Sequence, residues 1–104
     1  MFGKSKLNVT LLYSAPLHIK DTQVLLDGEP LLQFKDHKVE EYPPRIGSKS
    51  TNLKNGSHVL EVIDTNFGLK KKESFRLKKQ TWVDIIIHDD SISFHFLDKP
   101  PAYK

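Results

Sequence analysis

The 104-residue sequence predicts a single all-β domain, a small two-layer antiparallel β-sandwich of seven or eight strands. Three features carry that expectation. Alanine occurs only at Ala15 and Ala102, whereas Ile, Val, Thr, Phe and Tyr are frequent, and branched and aromatic side chains pack best on a pleated sheet. Short apolar runs recur through the second half at regular spacing with turn residues between them, as in a sandwich or barrel. The last two of these runs register against each other residue by residue.

Leu7 to Tyr13 (LNVTLLY) reads as the first strand, with Leu7, Val9 and Leu11 on one face, and Ser14-Ala15-Pro16 ends it. Residues 1–5 are expected to form a disordered stub. Thr22 to Leu26 runs into Asp27-Gly28, a dipeptide that supplies the positive φ angles of a tight hairpin. Leu31 to Phe34 then returns as a strand, and Pro30, which donates no amide hydrogen, implies that this strand sits at a sheet edge or starts late. Phe34 to Tyr42 is charged and can close one helical turn before Pro43-Pro44 stops it. From Pro43 to Gly56 the composition is polar with little apolar content, which predicts a long exposed loop.

Four strands follow: His58 to Thr65, Glu73 to Lys79, Thr81 to His88 and Ser91 to Leu97, with an extended tail over residues 98–104. With Asp89-Asp90 as a two-residue turn, Ile87 faces Ile92, Ile85 faces Phe94 and Val83 faces Phe96. A slip of one residue would scatter these six side chains over both faces. They are therefore the predicted heart of the core, joined by Phe75 and Leu77.

The chain has no cysteine, which excludes disulfides, thiolate nucleophiles and cysteine-based zinc sites. A net charge of +3 from 16 basic and 13 acidic residues is not the field of a dedicated nucleic-acid binder. No apolar run approaches the ~20 residues that span a bilayer, and Met1 to Lys6 lacks the apolar stretch of a signal peptide, so a soluble chain is expected.

The run Val24 to Glu29 (VLLDGE), then Leu53 to Val62 (LKNGSHVLEV), then a phenylalanine strand and Trp82 to Ile87 (WVDIII), resembles PEGA-like domains. These are small immunoglobulin-like sandwiches in which a V-x-x-D-G hairpin precedes an L-x-x-G-x-H-x-L-x-V strand entry. The resemblance covers Val24 to Ile87. It implies a noncatalytic module, often part of bacterial envelope or surface proteins and hence extracytoplasmic, with no catalytic residues to carry over.

Five histidines raise the question of a metal. His88 and His95 share the outer face of the last hairpin but lie about 13 Å apart, too far for one zinc ion. His18, His37 and His58 lie in or beside other segments, and no spaced ligand pair occurs, so no metal or other cofactor is expected. Asp84 and His95 are predicted cross-strand neighbours, a geometry that can orient a general base. Ser93 shares their face, yet it stands ~6.8 Å from His95 on the same strand with a parallel side chain. No strained nucleophile turn accompanies it, so a surface ion pair is the preferred reading and a small hydrolase or metal-dependent enzyme the alternative.

Trp82, Asp84, Ile86, His88 and His95, with Leu97, form the candidate binding patch. An outward tryptophan with two aliphatics is more apolar than a solvated face requires, whereas a tryptophan under a second layer is simply core. Both positions are open at the level of sequence. Lys70, Lys71, Lys72, Arg76 and Lys78, with Lys79, make a basic stripe that suits anionic lipid or nucleic-acid phosphate. No aromatics interleave with it, and lysines on an edge strand also keep sheets from joining, which is the preferred role. Asn8-Val9-Thr10 and Asn55-Gly56-Ser57 match the N-glycosylation pattern, for which chance suffices. The expected function is thus a noncatalytic module that binds or spaces an envelope or surface component, protein or carbohydrate.

Overall fold

A computed structural model describes residues 3–14, 17–39 and 45–100. Eight strands run in chain order: β1 (Lys4–Tyr13), β2 (Leu17–Leu26), β3 (Glu29–Val39), β4 (Arg45–Lys54), β5 (Gly56–Asp64), β6 (Leu69–Leu77), β7 (Thr81–Ile87) and β8 (Ile92–Leu97). There is no helix among the described residues. One sheet has the order β4-β1-β7-β8 and the other β3-β2-β5-β6, so the predicted small β-sandwich is the fold found. All strand pairs are antiparallel except β1 and β7, which run parallel with Val9 beside Val83 and Leu11 beside Ile85.

Parity fills the space between the sheets. Leu7, Val9 and Leu11 of β1 and Val83, Ile85 and Ile87 of β7 are fully buried, and they meet Val24 of β2, Leu60 and Val62 of β5 and Leu77 of β6. Each such side chain contributes roughly 1.5–3 kcal/mol by leaving water, and in a cysteine-free chain that burial is the main cohesive term. The chain crosses between sheets after β1, β3, β4 and β6, which is what interleaves sequence-distant strands in one core. The Asp27-Gly28 turn between β2 and β3 has φ of 51° and 83°, the conformation that made this dipeptide a hairpin signal.

Several local expectations change. The predicted loop from Pro43 to Gly56 contains β4, paired with β1 from Lys4↔Lys54 to Leu12↔Arg45. Its polar composition misled because an edge strand needs one apolar side at most, and backbone pairing supplies the rest. The helical turn over Phe34 to Tyr42 is strand as far as Val39, and residues 40–44 lie outside the described residues. Phe34 instead crosses to the other sheet, where a Cβ on Gly47 would stand 2.7 Å from its ring, so any larger residue there would have to displace the ring. β1 starts at Lys4, which places Lys4 and Ser5 in a strand rather than in a stub, and residues 101–104 of the tail lie outside the described residues. Of the two alternatives Pro30 offered, β3 is an edge strand and does not start late, since it begins at Glu29.

Candidate functional site

The final hairpin has the predicted register: Ile87↔Ile92, Ile85↔Phe94 and Val83↔Phe96. Ile92 is buried and Phe94 partly buried, but Phe96 is 37% exposed and so is not core. β8 is the last strand of its sheet, and the facing sheet ends at β6, whose Phe75 ring lies 5.1 Å from that of Phe96. The two rings meet at an open side of the sandwich instead of beneath a layer.

The same register sends Trp82, Asp84 and Ile86 to the opposite face, beside Leu97, His95 and Ser93 respectively. The second sheet packs on the other side, so Trp82 is on the outer face. β7 is an interior strand, and β1 supplies its other neighbours: Asn8 beside Trp82, Thr10 beside Asp84 and Leu12 beside Ile86. β4 extends the rows, with Ser50 beside Asn8 and Ser48 beside Thr10. Three rows therefore cross the face. One is Ser50, Asn8, Trp82 and Leu97; the next is Ser48, Thr10, Asp84 and His95; the third is apolar, with Leu12 and Ile86 beside Ser93.

Asn8 is anchored in this arrangement. Its amide donates to the Thr81 carbonyl at 3.3 Å and its oxygen accepts from the Ser50 hydroxyl at 2.5 Å, which fixes the polar edge next to the half-buried indole. Thr10 and Leu12 are at most 9% exposed although they face outward. His95 is exposed at its rim. His88 follows the end of β7, where its backbone N–H donates to the Ser91 carbonyl at 2.8 Å. Asp84 and His95 are direct partners across the ladder, and Ser93 stands one row away from them, on the same strand as His95. No group of three or more His, Asp or Glu able to hold a metal ion occurs among the described residues.

The basic stripe divides between two faces. β6 is an edge strand, and Lys70, Lys72 and Arg76 alternate on its outer side, with the Lys70 amine 3.6 Å from the Glu61 carboxylate. Lys71 shares the inward parity of Phe75 and Leu77. Its amine crosses to β8, donates to the Ile92 carbonyl at 3.0 Å and lies over the Phe94 ring. Lys78 is exposed just beyond the strand.

Two polar clusters lie at opposite ends of β5, and neither was read from the sequence. Asp64, 1% exposed, accepts on one carboxylate oxygen from the Tyr13 hydroxyl (2.5 Å), the Thr22 hydroxyl (2.9 Å) and the Asn66 amide (2.6 Å). Its other oxygen accepts from the Phe67 N–H at 3.0 Å. Burial works to raise the Asp64 pKa, and these donors outweigh it, so the carboxyl is held below its ordinary range. Burial, then the bond to Asp64, push the Tyr13 phenol well above its ordinary value. At the other end, His58 Nδ1 lies 2.6 Å from Asp27 Oδ2 and Nε2 lies 2.7 Å from the Lys54 carbonyl. Asp27 also accepts from the Val59 N–H at 2.8 Å, closing the hairpin turn onto β5.

No family model matches the chain, and no match was found among curated proteins or among solved structures.

Proposed function

We propose that the protein is a noncatalytic β-sandwich module that binds a surface component, most simply a carbohydrate, through the outer face of the β4-β1-β7-β8 sheet. The observation that carries this reading is the position of Trp82 on an interior strand of a face that the second sheet does not cover. The anchored Asn8 stands beside Trp82 in the same row with Ser50 one strand further out, and Thr10, Asp84 and His95 form the adjoining row. An aromatic plane beside convergent hydrogen-bonding groups suits a sugar ring, which offers C–H groups to the indole and hydroxyls to the polar row. An envelope or extracytoplasmic setting, in which the module binds or spaces a neighbouring component, is consistent with the PEGA-like resemblance.

The test is a nuclear magnetic resonance titration with cell-wall oligosaccharides. Shifts should cluster at the Trp82 indole N–H and the Asn8 side-chain amide, and Trp82→Ala should weaken binding about tenfold or more while leaving the spectrum folded. Shifts confined to Lys70, Lys72 and Arg76 on adding anionic lipid would replace this reading with an anionic-surface binder. Ester or phosphate hydrolysis abolished by His95→Ala would replace it with an enzyme.

A further inference from the structure

We infer that β8 is a self-association edge, at which two copies of this chain pair antiparallel, β8 against β8, across a twofold axis. Among the described residues the sandwich has four edge strands, and three of them are protected. β3 carries Pro30 and a register shift against β2. β4 carries Arg45, Lys49 and Lys54 and a register shift against β1. β6 carries Lys70, Lys72 and Arg76 on its outer side. Charges, prolines and bulges of this kind are how sheets avoid joining one another. β8 (ISFHFL) carries no Lys, Arg or Pro of its own, its ladder with β7 is unbroken from Trp82↔Leu97 to Ile87↔Ile92, and the Lys71 amine of β6 reaches its edge at the Ile92 carbonyl, leaving Phe94 and Phe96 beyond it.

The backbone of β8 faces the free side at defined residues. The His88 N–H bonds the Ser91 carbonyl, so along this antiparallel pair residues 91, 93, 95 and 97 turn toward β7 and Ile92, Phe94 and Phe96 turn away. The Lys71 amine reaching the Ile92 carbonyl from β6 agrees with that alternation. Phe94 and Phe96 carry the remaining outward N–H and C=O pairs. The side chains there are apolar as well: Phe96 is 37% and Leu97 36% exposed, and with Phe75, Arg76, Thr81 and Asp98 they line an open cleft of about 400 Å³.

Charge selects the occupant and its direction. The exposed turn before β8 is acidic, Asp89-Asp90, whereas its far end holds exposed Lys78, Lys79 and Lys99, of which Lys79 lies 3.7 Å from Asp98. A second copy laid antiparallel puts the Asp89-Asp90 end of each, which Lys71 also approaches at the Ile92 carbonyl, against the end of the other where Lys78, Lys79 and Lys99 outnumber Asp98, so the net attraction is made twice. Parallel pairing would stack like on like. Outward residues must meet outward residues, so Phe94 faces its own counterpart and Ile92, whose carbonyl accepts from Lys71 on one lone pair and has the other for the second copy, faces Phe96, an isologous contact that keeps all three apolar side chains on the inner face. The two β4-β1-β7-β8 sheets would then be continuous.

Sedimentation velocity of the full chain at concentrations up to about 1 mM tests this, since even weak association shows there. A concentration-dependent dimer is expected. Phe96→Pro removes an outward N–H that the monomer does not use, and it should weaken the dimer about tenfold or more while preserving the folded spectrum. Asp89→Lys/Asp90→Lys and Lys78→Glu/Lys79→Glu should each be monomeric alone, and an equimolar mixture of the two should dimerise. A wild-type chain that stays monomeric throughout, a folded Phe96→Pro variant that dimerises unchanged, or a mixture that fails to associate overturns the assignment.

Discussion

The two ends of β5 each hold a carboxylate and a partner, and they do opposite things with them. At the Asp64 end the acid is buried and every partner is a neutral donor: two hydroxyls, an amide and a backbone N–H. At the His58 end the acid, Asp27, is 42% exposed and the partner can itself carry charge. Proton count explains the second arrangement. Nε2 faces a carbonyl, which only accepts, and Nδ1 faces a carboxylate, so both bonds are made together when both ring nitrogens carry hydrogen. The Asp64 cluster therefore requires a proton to be absent, and the His58 cluster requires one to be present.

The strongest way to break the comparison is to remove Asp64. Asp64→Ala leaves the Tyr13 and Thr22 hydroxyls, the Asn66 amide and the Phe67 N–H without their acceptor in a buried site, and should cost about 2–4 kcal/mol in urea unfolding. A loss below about 0.5 kcal/mol would mean that water replaces the carboxylate without difficulty. Tyr13→Phe deletes one donor and leaves the others in place, so about 1–2 kcal/mol is expected from the same measurement.

The Asp64 end also sets the acid limb of stability. A carboxyl whose folded pKa lies below its unfolded value stabilises the fold above the unfolded value, and that contribution is lost as pH falls through the folded one. Thermal unfolding should show stability dropping below about pH 4, and Asp64→Asn should flatten that drop. An unchanged acid limb in Asp64→Asn would assign it to other carboxylates.

Parity along a strand was legible in the sequence; what lies opposite the strand was not. The 81–97 hairpin could be registered because one slip would expose Val83, Ile85 and Ile87, and the outward face of Trp82 follows from the same rule. Parity did not say whether anything covers Phe96, because that depends on where the other sheet ends. Nor did it place Asn8 and Ser50 beside Trp82, since nothing in LNVTLL or WVDIII announces a parallel pairing. β4 was missed because Leu53 is almost the only apolar anchor in its sequence after Ile46. The two clusters did leave a signal. His58, Leu60, Val62 and Asp64 share one parity, so a strand with two core residues in its middle and a titratable residue at each end asks for partners inside the sandwich. The identity of those partners, Tyr13 and Asp27, comes from segments 51 and 31 residues away.

The smallest effect sharpens the comparison most, because it separates sign from size. Burial works to lower the His58 pKa, but the Asp27 carboxylate and the Lys54 carbonyl outweigh it and the net shift is upward. A group raised in the folded state stabilises fully below its unfolded pKa, and the contribution fades as pH rises through the folded value. Stability should therefore sag on the alkaline side of about pH 6.5, the reverse of the Asp64 limb. Because Asp27 is partly exposed, solvent screening limits the effect to about 1 kcal/mol or less. His58→Gln keeps an amide donor for Asp27 and cannot titrate, so it should lose about that much near pH 6 and little near pH 9, where the two proteins converge. A variant that stays parallel to the parent across that interval would show that the ring acts at this end of β5 by packing on Phe75, whose ring lies 5.9 Å away, and not through its second proton.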